Sequence, residues 1–577
     1  MKNALKILRY TMPHMGWLLL AVACAFVSVS LTLYIPVLVG NAVDVMLGKG
    51  RVDMSLVLSV VIRIGVSVGI IVLFQWLMTQ STNVVAAKTT RDLRQEVFNK
   101  FNEVELRYID SHPQGDLISR IINDVDAVGD GLTQVILQLL SGVVTIVGTL
   151  IFMLSINIWI ALVVVVLTPL SVLVAAVIGR MCARSFREQQ ELQGEISAYV
   201  EETVGNQKVV KAFAYEDRAA EAFERKNQRL FKVGLKAQFA GALANPCTRF
   251  VNNMVYAVTG IVGALTVISS FMGALTIGQL ACFLTYANQY TKPFNEVTGV
   301  LTQIQTALAA AGRVFAVIET ESEPGEENKL EPSSSKGNVE FRHVSFSYIK
   351  EKPLIRDFSL SVKSGQQVAI VGPTGCGKTT LINLIMRFYE VDGGEILIDG
   401  VKTSDMKRES LRNMFGMVLQ DSWLFEGTIM ENLRYSNPDA SDDEIIAAAK
   451  AAHAHSFIRK MPKGYDTRVA ENGSNLSQGQ RQLLCIARVM AMNPPMLILD
   501  EATSSIDTLT EVRVQKAFQK LMNGRTSFVV AHRLSTIRES DVILVMKDGN
   551  IIEQGTHEEL LSEKGFYFNL FNSQFAQ

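Results

Sequence analysis

The chain has 577 residues, too many for one compact domain, and this length predicts at least two. Its net charge is −1, which argues against a nucleic-acid-binding protein. Hydrophobic residues make up 48% of the chain and charged residues 19%, and the long apolar runs all fall in the first 300 residues. The chain therefore consists of two halves that differ in composition, and only the second has the composition of a soluble domain.

Six apolar runs in the first half are each long enough to cross a bilayer as a helix. They lie at about 16–40, 55–79, 135–156, 157–179, 249–270 and 275–299. Buried helices of a soluble protein are the alternative, and six runs of this length make it a poor one. Residues 1–318 are therefore predicted to form a six-span transmembrane domain.

The distribution of lysine and arginine predicts the orientation. The long loops 80–134 and 180–240 are rich in basic residues, whereas the short turns after the third and fifth runs carry none. Lys49 and Arg51, between the first two runs, are the exceptions. The positive-inside rule then places the long loops, the N-terminus and the C-terminal domain in the cytosol. The prediction is a multi-pass protein of the cytoplasmic membrane.

Both basic loops are helix-prone but broken in the middle, at 110–116 and near Gly205. Proline and glycine end helices, so each loop is expected to turn around at a short connecting helix. Such a turn either contacts the cytoplasmic domain or serves as a spacer, and the sequence leaves both open.

The sixth apolar run combines aromatic and polar residues. Phe283, Tyr286 and Tyr290 recur at helical spacing, and Gln289 lies among them. This combination is typical of a cavity that binds amphipathic compounds. Helix–helix packing is the alternative interpretation.

A soluble domain is predicted over 338–577, after a polar, breaker-rich linker at 319–337. The apolar strand 367–371 runs directly into Gly372-Pro-Thr-Gly-Cys-Gly-Lys378-Thr379, followed by a helix. Glycines let backbone N–H groups turn towards phosphates at the helix N-terminus. Lys378 is expected to reach the β- and γ-phosphates, and Thr379 to offer its hydroxyl to Mg²⁺.

A second buried strand, 496–500, ends in two carboxylates. Asp500 is placed to hold Mg²⁺ through water, and Glu501 to polarise the attacking water as a general base. Gln420 and His532 each follow another strand-like segment and are expected beside the γ-phosphate. In isolation each of these residues is more often structural, and their order along one chain favours the functional interpretation.

The segment Leu476-Ser-Gln-Gly-Gln480 precedes a helical run. Ser477 and Gly479 would then form another anion site at a helix N-terminus, although an ordinary capped helix start looks similar. One nucleotide hardly needs two such termini from a single domain. We therefore expect ATP to be held between two copies of the domain. Tyr348, which precedes the first turn of the domain, either stacks on adenine or packs internally.

Taken together, these motifs resemble an ATP-binding cassette (ABC) exporter half-transporter over essentially the whole chain. The resemblance implies an α-helical six-span transmembrane domain fused to an α/β P-loop nucleotide-binding domain, with ATP and Mg²⁺ as cofactors. It identifies Glu501 and His532 as catalytic residues, Asp507 as the D-loop, and Ser477, Gly479 and Gln480 as a signature for the partner's ATP. The implied metal site comprises Thr379, Gln420 and Asp500. The implied ATP-binding residues are Tyr348, Gly372, Pro373, Thr374, Gly375, Cys376, Gly377, Lys378, Thr379, Thr380 and Gln420.

The break at 110–116 resembles the first intracellular loop of such exporters, whose coupling helix contacts the ATPase domain. The second break resembles the loop that engages the partner's domain. Two positions depart from the family pattern. Gln478 replaces a glycine of the signature, a variant that recurs in the glutamate-retaining subunit of heterodimeric multidrug exporters. Cys376 replaces a commoner serine and predicts sensitivity to thiol reagents.

The expected function is ATP-driven export of amphipathic, drug-like or lipid-like small molecules by alternating access, within membrane lipids. The chain would work as half of a dimer with a second half-transporter. A heterodimer is favoured and a homodimer is the alternative. A lipid or glycolipid flippase, a peptide exporter and a siderophore importer are the alternatives on the same fold. A non-transporting ATPase would lack the six spans.

Overall fold

The computed structural model describes residues 2–46, 54–269, 275–332, 335–419, 422–470, 473–500, 508–531 and 534–575. Its contacts divide the chain into two compact units. The first comprises Met1–Val104 and His112–Ser322, and the second comprises Glu105–Ser111 and Glu323–Gln577. The short segment Glu105–Ser111 thus belongs, by its contacts, to the C-terminal unit.

The N-terminal unit is helical. In chain order, and including the loop helix α4 of the second unit, the helices are α1 (Lys2–Thr11), α2 (Met15–Met46), α3 (Met54–Glu103), α4 (Leu106–Asp110), α5 (Gln114–Ser119), α6 (Val125–Gln134), α7 (Ser141–Ile156), α8 (Ile158–Gly205), α9 (Gln207–Ala212), α10 (Glu216–Ser269) and α11 (Ile277–Ile318). Two π-helical turns, Arg120–Asp124 and Val135–Leu140, lie on either side of α6.

The six predicted apolar runs lie in α2, α3, the second π-helical turn with α7, α8, α10 and α11. By length and composition, four helical stretches of the described residues qualify as membrane spans. They are Lys2–Met46, Met54–Glu103, Gln114–Ile156 and Glu216–Ile268. Shorter apolar helical segments lie at Ile158–Leu170 and Gln303–Ile318.

Three helices continue well beyond their apolar runs. Helices α3, α8 and α10 have 50, 48 and 54 residues. At about 1.5 Å per residue, each is roughly 75 Å long, more than twice the thickness of a bilayer core. The short helices predicted at the two loop breaks are present as α4 and α9. The helical extensions and their connecting helices therefore follow from the sequence.

Helices α2 and α11 approach each other through a pair of glycines. A Cβ on Gly278 would lie 2.0 Å from the carbonyl oxygen of Gly40, so no larger residue fits without separating the helices. The Asp44 carboxylate accepts from the Gly278 N–H at 2.7 Å and from the Thr276 hydroxyl at 2.6 Å. Thr276 also caps the start of α11. Small residues at such contacts let membrane helices pack closely.

Farther along the same pair, α11 donates to the backbone of α2 beside Pro36. The Cys282 thiol donates to the Pro36 carbonyl at 2.8 Å, and the Tyr286 hydroxyl donates to the Leu33 carbonyl at 2.6 Å. Hydrogen bonds of this kind between neighbouring helices help to hold membrane helices together. The two helices are thus joined by backbone-directed hydrogen bonds as well as by packing.

Replacing Gly278 by alanine is expected to destabilise the transmembrane unit, because the added methyl collides with backbone and with Asp44. Overpacking of this kind costs about 1–3 kcal/mol. The measurement is the fraction of monodisperse full-length protein that survives a heating series in detergent. Gly69→Ala in α3 is the control, since a Cβ there meets no described heavy atom within 4 Å. Equal heat resistance of the two variants would contradict the close contact.

The C-terminal unit is an α/β domain. Its strands are β1 (Val339–Phe346), β2 (Ile355–Val362), β3 (Gln367–Val371), β4 (Gly393–Ile398), β5 (Val401–Lys402), β6 (Phe415–Val418), β7 (Gly427–Thr428), β8 (Arg468–Val469), β9 (Met496–Asp500), β10 (Thr526–Val530), β11 (Val542–Lys547) and β12 (Asn550–Gly555). Its further helices are α12 (Lys378–Ile385), α13 (Arg408–Asn413), α14 (Ile429–Arg434), α15 (Asp442–Ala451), α16 (His455–Ile458), α17 (Gln478–Met492), α18 (Thr508–Met522), α19 (Leu534–Arg538), α20 (His557–Ser562) and α21 (Phe566–Phe575).

The central sheet has the strand order β12-β11-β3-β10-β9-β6, parallel except at the β11–β12 edge. Strands β3, β9 and β10 are almost continuously buried, as expected for a parallel sheet covered on both faces. A second, antiparallel sheet has the order β2-β1-β4-β5. This arrangement brings the carboxyl ends of β3, β10 and β9 to one edge.

Candidate nucleotide site

The predicted catalytic motifs follow neighbouring strands of the central sheet. Val530 at the end of β10 pairs with Ile370 on one side and with Asp500 on the other. Carboxyl ends of adjacent parallel strands form the usual ligand crevice of an α/β sheet. Asp500 is half-buried and lies level with the strand that leads into the glycine loop. Four further predicted site residues lie outside the described residues: Gln420, Glu501, Asp507 and His532.

Glycine is required at several points of the loop between β3 and α12. Gly372, Gly375 and Gly377 have φ angles of 155°, 82° and 102°, a region that residues with side chains rarely adopt. A Cβ on Gly372 would also lie 2.3 Å from the Met546 carbonyl oxygen, on β11. The loop is therefore held tightly against the neighbouring strand at its start. Pro373, Thr374 and Gly375 form its exposed rim.

Lys378 is the first residue of α12, and its side chain folds back over the loop. Its Nζ donates to the carbonyl oxygens of Gly372 at 2.8 Å and Pro373 at 3.0 Å. The ammonium group thus lies within the curve of the loop, at the helix N-terminus, where an anion is stabilised. Thr379 beside it is exposed, whereas Thr380 is buried.

The oxygen donors available here suit Mg²⁺. The exposed Thr379 hydroxyl and the Asp500 carboxylate are hard ligands, and Mg²⁺ in nucleotide sites is held by one or two such groups together with phosphate oxygens. Within the described ranges, no cluster of three or more His, Cys, Asp or Glu side chains forms a metal site of its own. Magnesium bound here would neutralise charge on the phosphates.

Cys376 points away from the surface of the loop. Its side chain is 3% exposed and lies in the core between the two sheets, with its Sγ 3.9 Å from the Lys378 Nζ. The sequence-based expectation of thiol sensitivity assumed an accessible group. In this structure a thiol reagent reaches Cys376 only if the loop opens.

Tyr348 is both packed and exposed. Its hydroxyl donates to the Thr380 Oγ1 at 3.2 Å, and its ring meets Phe346 and Tyr389 edge-on. Yet 41% of Tyr348 remains exposed, beside the start of α12. The two interpretations offered by the sequence are therefore compatible, since the packed edge leaves ring surface free for a base. Asn383, which no motif indicated, donates to the same hydroxyl at 3.4 Å.

The signature segment forms a capped helix start. The Ser477 Oγ accepts from the Gln480 N–H at 3.3 Å, and the Gln480 side-chain oxygen accepts from the Ser477 N–H at 3.0 Å. Gln478 opens α17 half-buried, and Gly479 is buried. Because the Gln480 side chain is engaged in this cap, the Ser477 hydroxyl and the first N–H groups of α17 are the groups available to an anion.

The predicted substrate-cavity residues lie in the N-terminal unit, and two of them are fully buried there. Phe283 and Tyr286 have no exposed surface and pack where α11 meets α2 and α7, with the Tyr286 ring 5.8 Å from that of Phe152. These contacts favour helix packing, because helical spacing places both rings on the face of α11 that meets its neighbours. Tyr290 is 7% exposed and packs edge-on against Phe294. The Gln289 side-chain oxygen is buried without a hydrogen-bond partner among the described residues.

The two halves match two family patterns in the order that the sequence predicted. Residues 18–294 match the ABC transporter transmembrane region, and residues 355–504 match the ABC transporter pattern that contains the glycine loop. The chain belongs to the ABC transporter family. It is a multi-pass membrane protein whose nucleotide-binding domain hydrolyses ATP to drive transport, and its relatives are exporters that fuse both domains.

The similar proteins are named for different transported substrates. The chain is 43% identical over 497 residues to the fatty acid ABC transporter ATP-binding/permease protein of Mycobacterium tuberculosis (strain CDC 1551 / Oshkosh), covering 86% of this chain and 78% of that protein. It is 40% identical to the uncharacterized ABC transporter ATP-binding protein YfiC of Bacillus subtilis (strain 168), covering 99% and 94%. It is 34% identical to the ATP-dependent lipid A-core flippase of Syntrophus aciditrophicus (strain SB), covering 99% and 94%.

The fold also matches a solved structure. A bacterial Atm1-family ABC exporter with ATP bound superposes with a TM-score of 0.78 and 30% identity, covering 99% of this chain and 98% of that chain. With the relatives named above, this match establishes the fused ABC exporter fold for the whole chain. The particular substrate is a separate question.

Proposed function

We propose that this chain exports amphipathic, lipid-like or drug-like small molecules across the cytoplasmic membrane by alternating access, as half of a dimer. The N-terminus and the nucleotide-binding domain would face the cytosol, as the basic loops predict. ATP with Mg²⁺ would close two cassettes on each other, and hydrolysis would reset them. Glu501 and His532 would act on the attacking water and the γ-phosphate, and Asp507 would lie at the interface between the cassettes.

The proposed substrate class is based on an apolar groove in the N-terminal unit. Its volume is about 390 Å³, within the range of small-molecule sites. Its walls come from α2 and α7 and consist almost entirely of aliphatic and aromatic groups: Phe26, Val29, Ser30, Leu33, Val143, Val144, Val147, Gly148, Ile151 and Phe152. Such walls suit a hydrocarbon tail, whereas a peptide or a siderophore would need polar partners. The names of the fatty acid and lipid A-core relatives support the same class.

The variant signature favours a heterodimer. Gln478 occupies the first position of α17, beside the groups of Ser477 that would bind the partner's ATP. A glutamine side chain at this point changes the anion site that the partner would use, and with a partner that keeps glycine there the two nucleotide sites of the dimer would be unequal. Mass spectrometry of the complex purified at its natural expression level should identify a second half-transporter that lacks the counterpart of Glu501. Recovery of this chain alone would favour the homodimer.

Stimulation of ATP hydrolysis tests the substrate class. Purified transporter in proteoliposomes is expected to hydrolyse ATP faster when long-chain fatty acids or cationic amphiphiles are added than when peptides or ferric siderophores are. Val147→Trp, which places an indole in the groove, should reduce the fold-stimulation by long-chain amphiphiles. Val72→Trp, at an exposed position of α3, is the matched control.

Direct transport gives the decisive result. Labelled amphiphile should accumulate inside vesicles whose nucleotide-binding domains face outwards, and only with hydrolysable ATP. Stimulation by peptides or siderophores alone would overturn the proposal. Equal loss of stimulation in both tryptophan variants would show that the groove does not bind the substrate.

A further inference from the structure

Helix α4 packs on the nucleotide-binding domain beside the predicted adenine residue. Its first residue, Leu106, contacts the core of that domain. Arg107 donates to the carbonyl oxygen of Ser347 at 3.3 Å. Asp110, the last residue of the helix, accepts a hydrogen bond from the hydroxyl of Tyr389. The helix therefore contacts the domain through three of its five residues.

Tyr389 connects this helix to Tyr348 through ring contacts. The Tyr389 ring lies 5.1 Å from that of Tyr348 at 87°, and 5.6 Å from that of Phe346 at 66°. Phe346 in turn meets Tyr348 at 4.9 Å and 84°. All three contacts have the edge-to-face geometry that aromatic pairs prefer. Phe346 and Tyr389 are buried, so the Tyr348 ring packs against side chains that are themselves fixed in the core.

The backbone before Tyr348 is held by the same region. The Ser347 hydroxyl donates to the Asp392 carboxylate at 2.6 Å, and the Asp392 N–H donates to the Ser345 carbonyl at 2.9 Å. Arg107 approaches the same stretch from α4. A shift of α4 would therefore move Tyr389 and the segment that presents Tyr348. The hydroxyl of Tyr348 donates a hydrogen bond to Thr380, which lies two residues after Lys378.

We propose that Asp110 and Tyr389 are positioning residues that hold the Tyr348 ring for the nucleotide base, so that helix α4 sets the affinity of the site for adenine. The inference rests on the proposed stacking of Tyr348 on adenine. Burial, followed by the neighbouring Asp110 carboxylate, raises the pKa of Tyr389 above its usual value, so the phenol stays protonated and donates. Coupling between two sites is reciprocal, and bound ATP should therefore strengthen the contact of α4.

The test compares ATP with inorganic tripolyphosphate, which carries the phosphates without a base. In the purified full-length transporter, Tyr389→Phe keeps the ring and removes the hydroxyl that bonds Asp110. We expect the KM for ATP to rise about 5-fold, with kcat nearly unchanged, while the inhibition constant of tripolyphosphate changes less than about 2-fold. Asp110→Ala should likewise raise the KM for ATP and leave the inhibition constant of tripolyphosphate nearly unchanged. The double variant should be no worse than either single one, because both remove one interaction.

Tyr465→Phe is the control, since it removes a hydroxyl hydrogen-bonded to His455 in another part of the domain and should leave both constants unchanged. Hydrogen exchange of residues 105–111 should slow with ATP in the parent and much less in Tyr389→Phe.

Tyr348→Ala distinguishes the role of Tyr348 at adenine from the role of helix α4 in holding Tyr348. Suppose that Tyr348→Ala weakens the binding of ATP but not of tripolyphosphate, while Tyr389→Phe has no effect. The proposed link to α4 is then wrong, and the assignment of Tyr348 to adenine stands. If Tyr348→Ala weakens neither, the adenine assignment fails and the inference with it. Parallel weakening of ATP and tripolyphosphate in Tyr389→Phe would indicate general damage and would overturn the proposal.

Discussion

Replacing Glu501 by glutamine is expected to lower ATP hydrolysis at least about 100-fold while leaving ATP binding in place. Glu501 directly follows Asp500, where β9 ends level with β10 and with the strand that leads into the glycine loop. A carboxylate at this position would take a proton from the attacking water, and a neutral amide of the same shape would not. The expected phosphate contacts of Lys378 and the glycine loop would not depend on this side chain. Phosphate release and retention of labelled ATP after rapid gel filtration measure the two effects separately.

The control for Glu501→Gln is Glu409→Gln, an exposed carboxylate of α13 in the same domain, which should hydrolyse ATP normally. Any partner subunit with its own glutamate has to carry the same substitution, since a second working site would mask the loss. Hydrolysis within about 2-fold of the parent would assign the general base elsewhere. Loss of ATP binding together with hydrolysis would indicate a structural role for Glu501.

The glycine loop was predictable because its requirements are local. The apolar strand 367–371, the glycines and Lys378 are contiguous, and the positive φ angles of Gly375 and Gly377 are conformations that glycine alone adopts easily. The position of Asp500 followed from a second buried strand and from the rule that parallel strands end at one edge. The capped start of α17 at Ser477 was also predictable, since a Ser with Gln three residues later forms a capping box.

The individual residue pairs that join distant parts of the chain were not predictable. Asp110 and Tyr389 are 279 residues apart, and neither lies in a motif that indicates the other. Phe283 and Tyr286 share one face of α11, but the spacing is the same whether that face lines a cavity or packs on α2. The close approach of Gly40 and Gly278 likewise depends on how two helices meet. In each case the deciding quantity is a tertiary contact, which periodicity does not contain.

Replacing Lys378 by alanine is expected to abolish detectable ATP binding at millimolar nucleotide, and with it hydrolysis. The Lys378 Nζ now donates to the carbonyl oxygens of Gly372 and Pro373, within the curve of the loop where phosphates would bind. Without this ammonium group, the negative charge of the β- and γ-phosphates would be opposed only by backbone N–H groups and the helix N-terminus. Binding of a fluorescent ATP analogue, titrated against the full-length protein, measures the loss.

Lys378→Arg separates charge from geometry. Arginine keeps the positive charge, but its planar fork is not interchangeable with a compact ammonium group on a flexible stem. We therefore expect partial recovery of binding and little hydrolysis. Lys363→Ala removes an exposed lysine from the turn before β3, at the opposite end of the strand from the loop, and should behave as the parent. Normal affinity in Lys378→Ala would place the phosphates away from this loop, and the strand-edge site would then have to be abandoned.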